Sequence, residues 1–233
     1  FSGLSVLDIV KRQLPHTVVL VCVAIGWSAT LGIILGCFSA VRRNSILDRV
    51  IGVITVGAIA IPSFVVSLYA LLIFAVTLRV LPALGAGESG DILDQLKHLV
   101  LPGFALGLGW VGYIARLVRA SMLEVMGENF IRAARAYGLP ERKIIARYAL
   151  KIAIVPTVTL LGVGIGNMLS GALFAEIVFA RPGIGKLIYD MVLMRNYPVV
   201  QGAVLVTTAL FVVSALIADM INSYLDPRVR ASL

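Results

Sequence analysis

The sequence predicts an all-α protein with several membrane-spanning helices. Hydrophobic residues make up 60% of the chain and charged residues 14%, and the mean hydropathy is +1.00, whereas soluble domains are about a quarter charged. The charges are clustered, so uncharged runs remain that are long enough to cross a bilayer, which takes about 20 helical residues. These runs are continuous and do not alternate, which favours helices over membrane strands.

We place one transmembrane domain over residues 1–233, with five spans at about 14–41, 50–78, 99–123, 152–175 and 197–218. The third span reaches its length if Arg116 and Arg119 snorkel to the interface. Pro62 lies inside the second run and predicts a kink there. Glycines at helical spacing in the third and fourth spans are typical of close helix packing. A second interpretation is a solute path lined by backbone and small polar groups, and both can hold on different faces of the same helix.

The distribution of basic residues predicts the orientation. Segments 42–49, 116–151 and 219–233 hold 13 of the 20 basic residues, so these segments are predicted to be cytoplasmic. The C-terminus is then inside and Phe1 outside. Because nothing near the N-terminus resembles a signal segment, we expect at least one further span upstream. The net charge of +8 follows from the same bias, so nucleic acid is not an expected partner.

The cytoplasmic region 124–150 has the pattern of a short basic helix with a defined stop. Phe130, Ala134 and Tyr137 recur at i, i+4 and i+7 and are expected to share a face. Gly138 suits the left-handed position that ends a helix, and Pro140 can begin the next one. Two interpretations stay open: an interfacial helix on anionic lipid, or a docking helix for a soluble subunit.

The predicted external loop 176–195 is unusually apolar for its position, with Phe179, Ile184 and Leu187. It is predicted to be either a re-entrant or interfacial segment that shields the outer end of a pathway, or a packed surface loop.

Several motifs occur in chain order and together carry a resemblance. They are F-I-R-A-A-R-A-Y-G-L at 130–139, E-I-V-F-A-R-P-G-I-G at 176–185 and D-P-R at 226–228. Through them the chain resembles the permease subunits of binding-protein-dependent ABC importers, most nearly the peptide and nickel permease branch and its dipeptide and oligopeptide B-type subunits. Arg132 stands where the family's glutamate is usual, and Tyr137 stands where a lysine is usual.

The resemblance implies a type I importer transmembrane domain in the multi-pass cytoplasmic membrane of a bacterium or archaeon. Its implied partners are a second homologous permease subunit, one or two cytoplasmic ABC ATPases, an extracytoplasmic substrate-binding protein and the lipid bilayer. The implied activity is import of peptides or a similar small solute by alternating access. ATP and Mg would be bound by the ATPase subunits, so this chain is expected to hold no cofactor and no metal and to be non-catalytic; its sequence has no phosphate-binding loop.

The residues that the resemblance implies for docking on the ATPase form one run, the expected coupling helix: Phe130, Ile131, Arg132, Ala133, Ala134, Arg135, Ala136, Tyr137, Gly138 and Leu139. Candidates for the pathway or its gate are Pro62, Ser63, Asn167, Ser170, Glu176, Phe179 and Pro182.

An ion-coupled secondary transporter or another polytopic channel-like protein is the alternative. Secondary transporters usually place ionisable residues near the membrane midplane, and the centres of the predicted spans have none. An intramembrane enzyme would need a catalytic motif or paired acids that this sequence lacks.

Overall fold

The computed structural model describes residues 5–88 and 90–225, and the regular structure within these ranges is helical. The predicted all-α fold class is therefore confirmed. The D-P-R motif and both chain ends lie outside the described residues. The α-helices are α1 (Val6–Val41), α2 (Ile46–Ala60), α3 (Ser63–Ala70), α4 (Ile92–Met126), α5 (Asn129–Ala136), α6 (Glu141–Lys143), α7 (Leu150–Ala153), α8 (Val155–Val178), α9 (Ile184–Leu193) and α10 (Tyr197–Leu225), and two π-helical segments follow α3 and α6 at Leu71–Thr77 and Ile144–Ala149.

Three helices, α1, α4 and α10, are each long and apolar enough to cross a membrane. Two bent pairs bring the number to at most five if each pair is one span. The pairs are Ile46–Ala60 with Ser63–Thr77, bent by 98°, and Glu141–Ala153 with Val155–Gly162, bent by 42°. The five predicted spans thus correspond to three continuous helices and two broken ones, and five remains a prediction.

The long helices begin earlier than the hydropathy of the spans suggests. The Ser5 side chain accepts from the Asp8 N–H at the start of α1, and Asp91 accepts from Leu93 and Asp94 at the start of α4. Such caps satisfy N–H groups that have no partner within the helix. Each cap lies outside the apolar run, so each helix extends beyond the predicted membrane-spanning part on the predicted external side.

The kink predicted at Pro62 is confirmed and is a sharp turn. Ile61 is extended, with φ −89° and ψ 120°, because a residue before proline is pushed out of the helical region. Pro62 then stands at the N-cap of α3. The 98° bend gives this span two arms, where the prediction had one continuous helix.

The core forms where α1 packs against α4, and small residues allow the close approach. The Trp27 indole donates to the Gly103 carbonyl at 2.9 Å. A methyl group at Gly107 would lie 2.6 Å from Trp27 Nε1, and one at Gly112 would lie 2.5 Å from the Thr55 carbonyl of α2. At these two glycines, close helix packing is therefore the structural role.

Candidate functional sites

The segment predicted to couple the protein to a soluble partner is an elbow of two helices, residues 129–143. Gly138 has φ +75°. Its N–H bonds to the Arg135 carbonyl at 2.9 Å, and the Leu139 N–H bonds to the Ala134 carbonyl at 3.2 Å. This pair of bonds is the Schellman ending of a helix. The glycine stop is therefore confirmed, and Pro140 stands at the N-cap of α6.

The inner face of α5 is fixed to the chain's own core. Ile131 is fully buried and Ala134 is 7% exposed. They pack in one cluster with Met122 of α4 and with Ile144 and Ala149 of the π-helical segment. Movement of α5 must therefore displace the end of α4 and the start of the α7–α8 pair.

This packing corrects the expectation that Phe130, Ala134 and Tyr137 form one face. Ala134 is buried, whereas Phe130 is 40% and Tyr137 87% exposed. The helix ends at Ala136 and Tyr137 is its cap, so the i+7 position no longer follows the helical register. As placed here, Ile131 and Ala134 face the chain's own core and cannot contact a docked subunit.

The outer surface of the elbow is basic and exposed to solvent. Its exposed members are Phe130, Arg132, Ala133, Arg135, Ala136, Tyr137 and Gly138, while Leu139 is half-buried. The small side chains of Ala133 and Ala136 leave a shallow depression between the larger side chains. An almost fully exposed tyrosine beside them has the size and the polar tip that suit a pocket in a partner.

An ion pair crosses the elbow. Arg135 Nε lies 2.6 Å from Glu141 Oε1, so the pair joins α5 to α6 across Gly138. The hydrogen bond that Arg135 donates to Glu141 raises the pKa of the Arg135 guanidinium. Both side chains are substantially exposed, so the pair is worth ~0–1 kcal/mol of stability and serves mainly to set the angle between the two helices.

On the predicted external side, a buried carboxylate ties three helices together. The Thr17 hydroxyl of α1 donates to Glu176 Oε1 at 2.6 Å, and the Lys186 N–H of α9 donates to Glu176 Oε2 at 3.0 Å. Thr17 also accepts from the Ile184 N–H at 2.8 Å. We call these four residues the external knot. Because Glu176 is fully buried, the bonds from Thr17 and Lys186 are needed to compensate its desolvation.

Two glycines make the external knot possible. A methyl group at Gly183 would overlap the Glu176 carboxylate, and one at Gly185 would lie 2.5 Å from Leu173 Cα. The P-G-I-G motif therefore brings the backbone against Glu176.

The loop that follows α8 is also buried. Arg181 is only 3% exposed, and its Nε and Nη1 have no hydrogen-bond partner among the described residues. Burial lowers the pKa of its guanidinium, and the charge of Glu176 opposes that shift. α9 packs through Ile184, Leu187 and Met191, which favours the packed-loop alternative for residues 176–195.

The pathway candidates do not converge on one cavity. Pro62, Ser63 and Asn167 line a single cavity of about 200 Å³ with Trp110 and Tyr113. Ser170 belongs to another, of about 320 Å³, that also contains Thr207 and Thr208. Pro182 lines a third, of about 240 Å³, beside Lys186 and Asp190.

Two of those candidates are buried in this conformation, and their role in a gate stays a prediction. Glu176 is fully buried and Phe179 is 2% exposed. Phe179 packs with Val66, Ala70 and Leu101, so it fills space between helices. Neither side chain can line an open path in this conformation.

A second buried acid, which the sequence did not single out, lies at the predicted cytoplasmic ends of the helices. The Asp48 carboxylate accepts hydrogen bonds from Nε and Nη2 of Arg119, both at 2.7 Å, from the Asn44 N–H at 2.9 Å and from the Ser39 hydroxyl. α1, α2 and α4 are joined here. A lone aspartate in the first turn of an apolar helix, together with an arginine inside a span, was the available signal.

Comparison with protein families places these features in context. The model of the family described as "binding-protein-dependent transport system inner membrane component" matches residues 32–231. A putative peptide permease of Brucella suis is 35% identical over 98% of this chain and 72% of the relative. The dipeptide transport system permease DppB of Bacillus subtilis is 36% identical over 97% and 71%, and the glutathione transport system permease GsiC of Shigella flexneri is 34% identical over 96% and 70%.

Solved structures show the same fold. A chain of the methionine ABC transporter MetNI, in an inward-facing conformation, aligns with a TM-score of 0.78 at 19% identity, covering 94% of this chain and 97% of that one. A chain of an amino acid ABC transporter aligns with a TM-score of 0.60 at 18% identity, covering 95% and 94%. The likeness at this identity concerns the fold.

Proposed function

Because the chain belongs to the binding-protein-dependent transport system inner membrane components, and is thus a permease component of an ABC importer in the bacterial inner membrane, we propose that it forms half of a peptide translocation path. The relatives described above are named for peptides, dipeptides and glutathione. Peptides or similar small solutes are therefore the proposed cargo. A second homologous permease would supply the other half of the path, and an external binding protein would deliver the solute.

The observation that carries the coupling proposal is the two-sided character of α5. One side is anchored by Ile131 and Ala134, and the other presents Arg132, Ala133, Arg135, Ala136 and Tyr137 to solvent. In our proposal, this exposed set docks in a groove of a cytoplasmic ATPase, which binds ATP and Mg. The permease chain itself needs no cofactor for this role.

The anchoring side supplies a mechanical route. A force on α5 passes through Ile131 to Ile144 and Met122, which lie on the two helical stretches that flank the elbow. Because a packed core moves as a body, closure of the ATPases would shift the α4 end and the α7–α8 pair together. The proposed outcome is alternating access by rigid-body motion.

For the path itself we propose the cavity at the Pro62 turn. Ser63 and Asn167 offer polar groups there, and Trp110 and Tyr113 offer aromatic surface. Few charges and small polar groups suit a path that passes varied peptides, so selectivity would come from the binding protein.

The proposal is tested with two sets of variants: one removes the exposed aromatic side chain of Tyr137, and the other exchanges the charges of the ion pair across the elbow. In the reconstituted complex, Tyr137→Ala should reduce ATPase co-purification and substrate-stimulated ATPase activity. Arg135→Glu should reduce that activity because two carboxylates then meet at the elbow. The double variant Arg135→Glu, Glu141→Arg restores an ion pair across Gly138 and should recover part of the activity.

Arg49→Gln is the matched control, because Arg49 is exposed and lies in another predicted cytoplasmic segment. Normal co-purification and stimulation in the Tyr137→Ala variant would refute docking through this face. Orientation is tested separately by labelling cysteines introduced at Glu88 and Lys143 in a variant without native cysteines. Glu88 should react from the outside and Lys143 from the inside.

A further inference from the structure

A narrow apolar groove runs along the end of α1 that leads to the cytoplasmic segment 42–49. Its volume is about 350 Å³. α1 forms one wall, and the chain after the elbow forms the other. The lining side chains are Ile33, Ile34, Cys37, Phe38, Val41, Arg142, Ile145 and Leu150.

The mouth of the groove is basic although its interior is apolar. Arg142 is the charged member of the described lining, it is exposed, and it forms no ion pair with an acid in the described ranges. Arg42 and Arg43 follow Val41 directly and are also exposed. The groove lining therefore carries a positive charge with no paired acid among the described residues, and two further arginines follow its Val41 end.

The dimensions of the groove match one leaflet of a bilayer. From Ile33 to Val41 a helix rises about 12 Å, and half of the hydrocarbon core is about 15 Å thick. In the orientation proposed above, the arginines lie at the cytoplasmic headgroups and Ile33 lies near the midplane. A soluble peptide or a free phosphate ion could not fill such an apolar, membrane-embedded surface.

We propose that this groove binds one acyl chain of an anionic phospholipid of the cytoplasmic leaflet, and that the lipid phosphate pairs with Arg142. A guanidinium binds phosphate through paired hydrogen bonds, and basic side chains beside an anionic leaflet attract its headgroups. An apolar helix of a second protein could also fill the groove, but apolar side chains offer no phosphate to Arg142. A lipid supplies both the chain and the charge.

The bound lipid would connect two parts of the coupling machinery. Arg142 lies in the second arm of the elbow and Ile145 lies directly after it. Ile144, between them, packs in one cluster with Ile131 of α5. A lipid between α1 and this segment would hold the second arm of the elbow against the membrane. Coupling between ATPase and path would then depend on anionic lipid in the cytoplasmic leaflet.

Photolabelling with lipids that carry a diazirine in the acyl chain tests the proposal. The complete transporter, with its full-length permease and partner subunits, is placed in nanodiscs containing either labelled phosphatidylglycerol or labelled phosphatidylcholine. The labelled peptides are then mapped by mass spectrometry. We expect phosphatidylglycerol to label residues 33–41 and 145–150 about fivefold more than phosphatidylcholine, the factor expected for one basic side chain near a headgroup.

Arg142→Gln should reduce labelling by phosphatidylglycerol to the phosphatidylcholine level, while Arg147→Gln should leave it unchanged, since Arg147 is exposed on the same segment but does not line the groove. Cys37→Trp should fill the groove and remove the label from residues 145–150, whereas Cys22→Trp on the same helix should not. Arg142 is exposed, so its replacement is not expected to disturb folding. If the Cys37→Trp protein does not fold, the Arg142→Gln variant still tests the proposal.

Equal labelling by the two lipids, or unchanged labelling in Arg142→Gln, would overturn the proposal because the charge would then have no role. Protein-to-protein crosslinks in place of lipid label at residues 33–41 would also overturn it, in favour of a helix that covers the groove. The readout needs no transport, so failure here would leave the proposed importer function untouched.

Discussion

Thr17 and Glu176 lie 159 positions apart in the chain and share a hydrogen bond of 2.6 Å. The bond joins the first long helix to the end of α8 on the predicted external side. Glu176 is fully buried, so its interactions bear on stability, and the same hydroxyl receives the Ile184 N–H at the start of α9. One threonine therefore fixes the position of both the acid and the loop that surrounds it.

Thr17→Val is predicted to destabilise the protein. Valine keeps the shape but removes a hydroxyl that both donates and accepts, which leaves a buried carboxylate oxygen and a buried N–H unsatisfied. The cost of such groups is ~1–3 kcal/mol each, so the temperature of aggregation in detergent should fall by several degrees. Thr30→Val is the control, since Thr30 is exposed and its hydroxyl bonds only within its own helix, to the Gly26 carbonyl. Equal stability of the two variants would mean that the hydrogen bonds of the external knot do not stabilise the folded protein.

Gly183→Ala is predicted to damage the same region by overpacking. The added methyl group would overlap the Glu176 carboxylate, and overpacking of a filled core costs ~1–3 kcal/mol. Gly26→Ala provides the comparison, because a side chain there meets nothing within 4 Å. Thermal unfolding of the purified complex should show a loss for Gly183→Ala and none for Gly26→Ala. A tolerated Gly183→Ala would show that Glu176 can move aside.

The sequence predicts those features that depend on a few neighbouring residues. The Gly138 stop follows from one residue's tolerance of positive φ, and the turn at Pro62 follows from the restriction that proline places on Ile61. Both are confirmed. The packing of Gly107 against Trp27 is likewise expected from small residues at helical spacing in a membrane span.

Features that depend on how distant parts of the chain pack together could not be predicted from the local sequence. The spacing of Phe130, Ala134 and Tyr137 suggests one face, but the face of α5 that is buried is decided by the position of α4 and the π-helical segment. The partner of Glu176 lies more than 150 positions away, so local pattern carries no information about it. Asp48 and Arg119 look like separate interfacial charges until α2 and α4 are packed together.

Ala180→Gly is predicted to stabilise the protein, which is the opposite of the usual effect of glycine. Ala180 has φ +46°, and it ends α8 in a Schellman arrangement, with Arg181 N–H bonded to the Glu176 carbonyl at 2.9 Å. Left-handed backbone costs an L-residue ~1–2 kcal/mol, and the greater freedom of glycine in the unfolded chain offsets part of the gain. A small rise in thermal stability is expected.

Ala120→Gly is the matched control for that change. Ala120 lies inside α4 and is exposed, so glycine there should lose ~1 kcal/mol of helix stability. Effects of the same sign at both positions would contradict the assignment of backbone strain to Ala180.

Arg119→Lys is predicted to weaken the contact between α1, α2 and α4 at Asp48 although it keeps the charge. Arg119 binds both carboxylate oxygens of Asp48, and an ammonium group cannot reproduce that fork. Because Arg119 is 35% exposed, water replaces part of what is lost, and we expect ~1 kcal/mol. Arg116→Lys should be neutral, since Arg116 is exposed and has no ion pair within the described residues. Equal unfolding temperatures for the two variants would argue against the paired geometry.

The last prediction concerns Gly138 and separates backbone conformation from bulk at the elbow. A side chain at this position would meet nothing within 4 Å in this chain, so added bulk by itself does not disturb the packing of the elbow. What remains is the φ of +75°, which a β-branched residue resists and asparagine tolerates. Gly138→Val should therefore straighten or loosen the elbow and lower substrate-stimulated ATPase activity, while Gly138→Asn should retain most of it.

The comparison of valine with asparagine is informative because both side chains have similar size and would be equally exposed to a docked ATPase. If both variants lose ATPase co-purification, the partner itself needs the space above Gly138, and docking is close at that point. If only Gly138→Val loses stimulation, the angle between α5 and α6 transmits the motion. If Gly138→Val retains normal stimulation and co-purification, the elbow does not couple the ATPase to the path, and α5 is an interfacial helix.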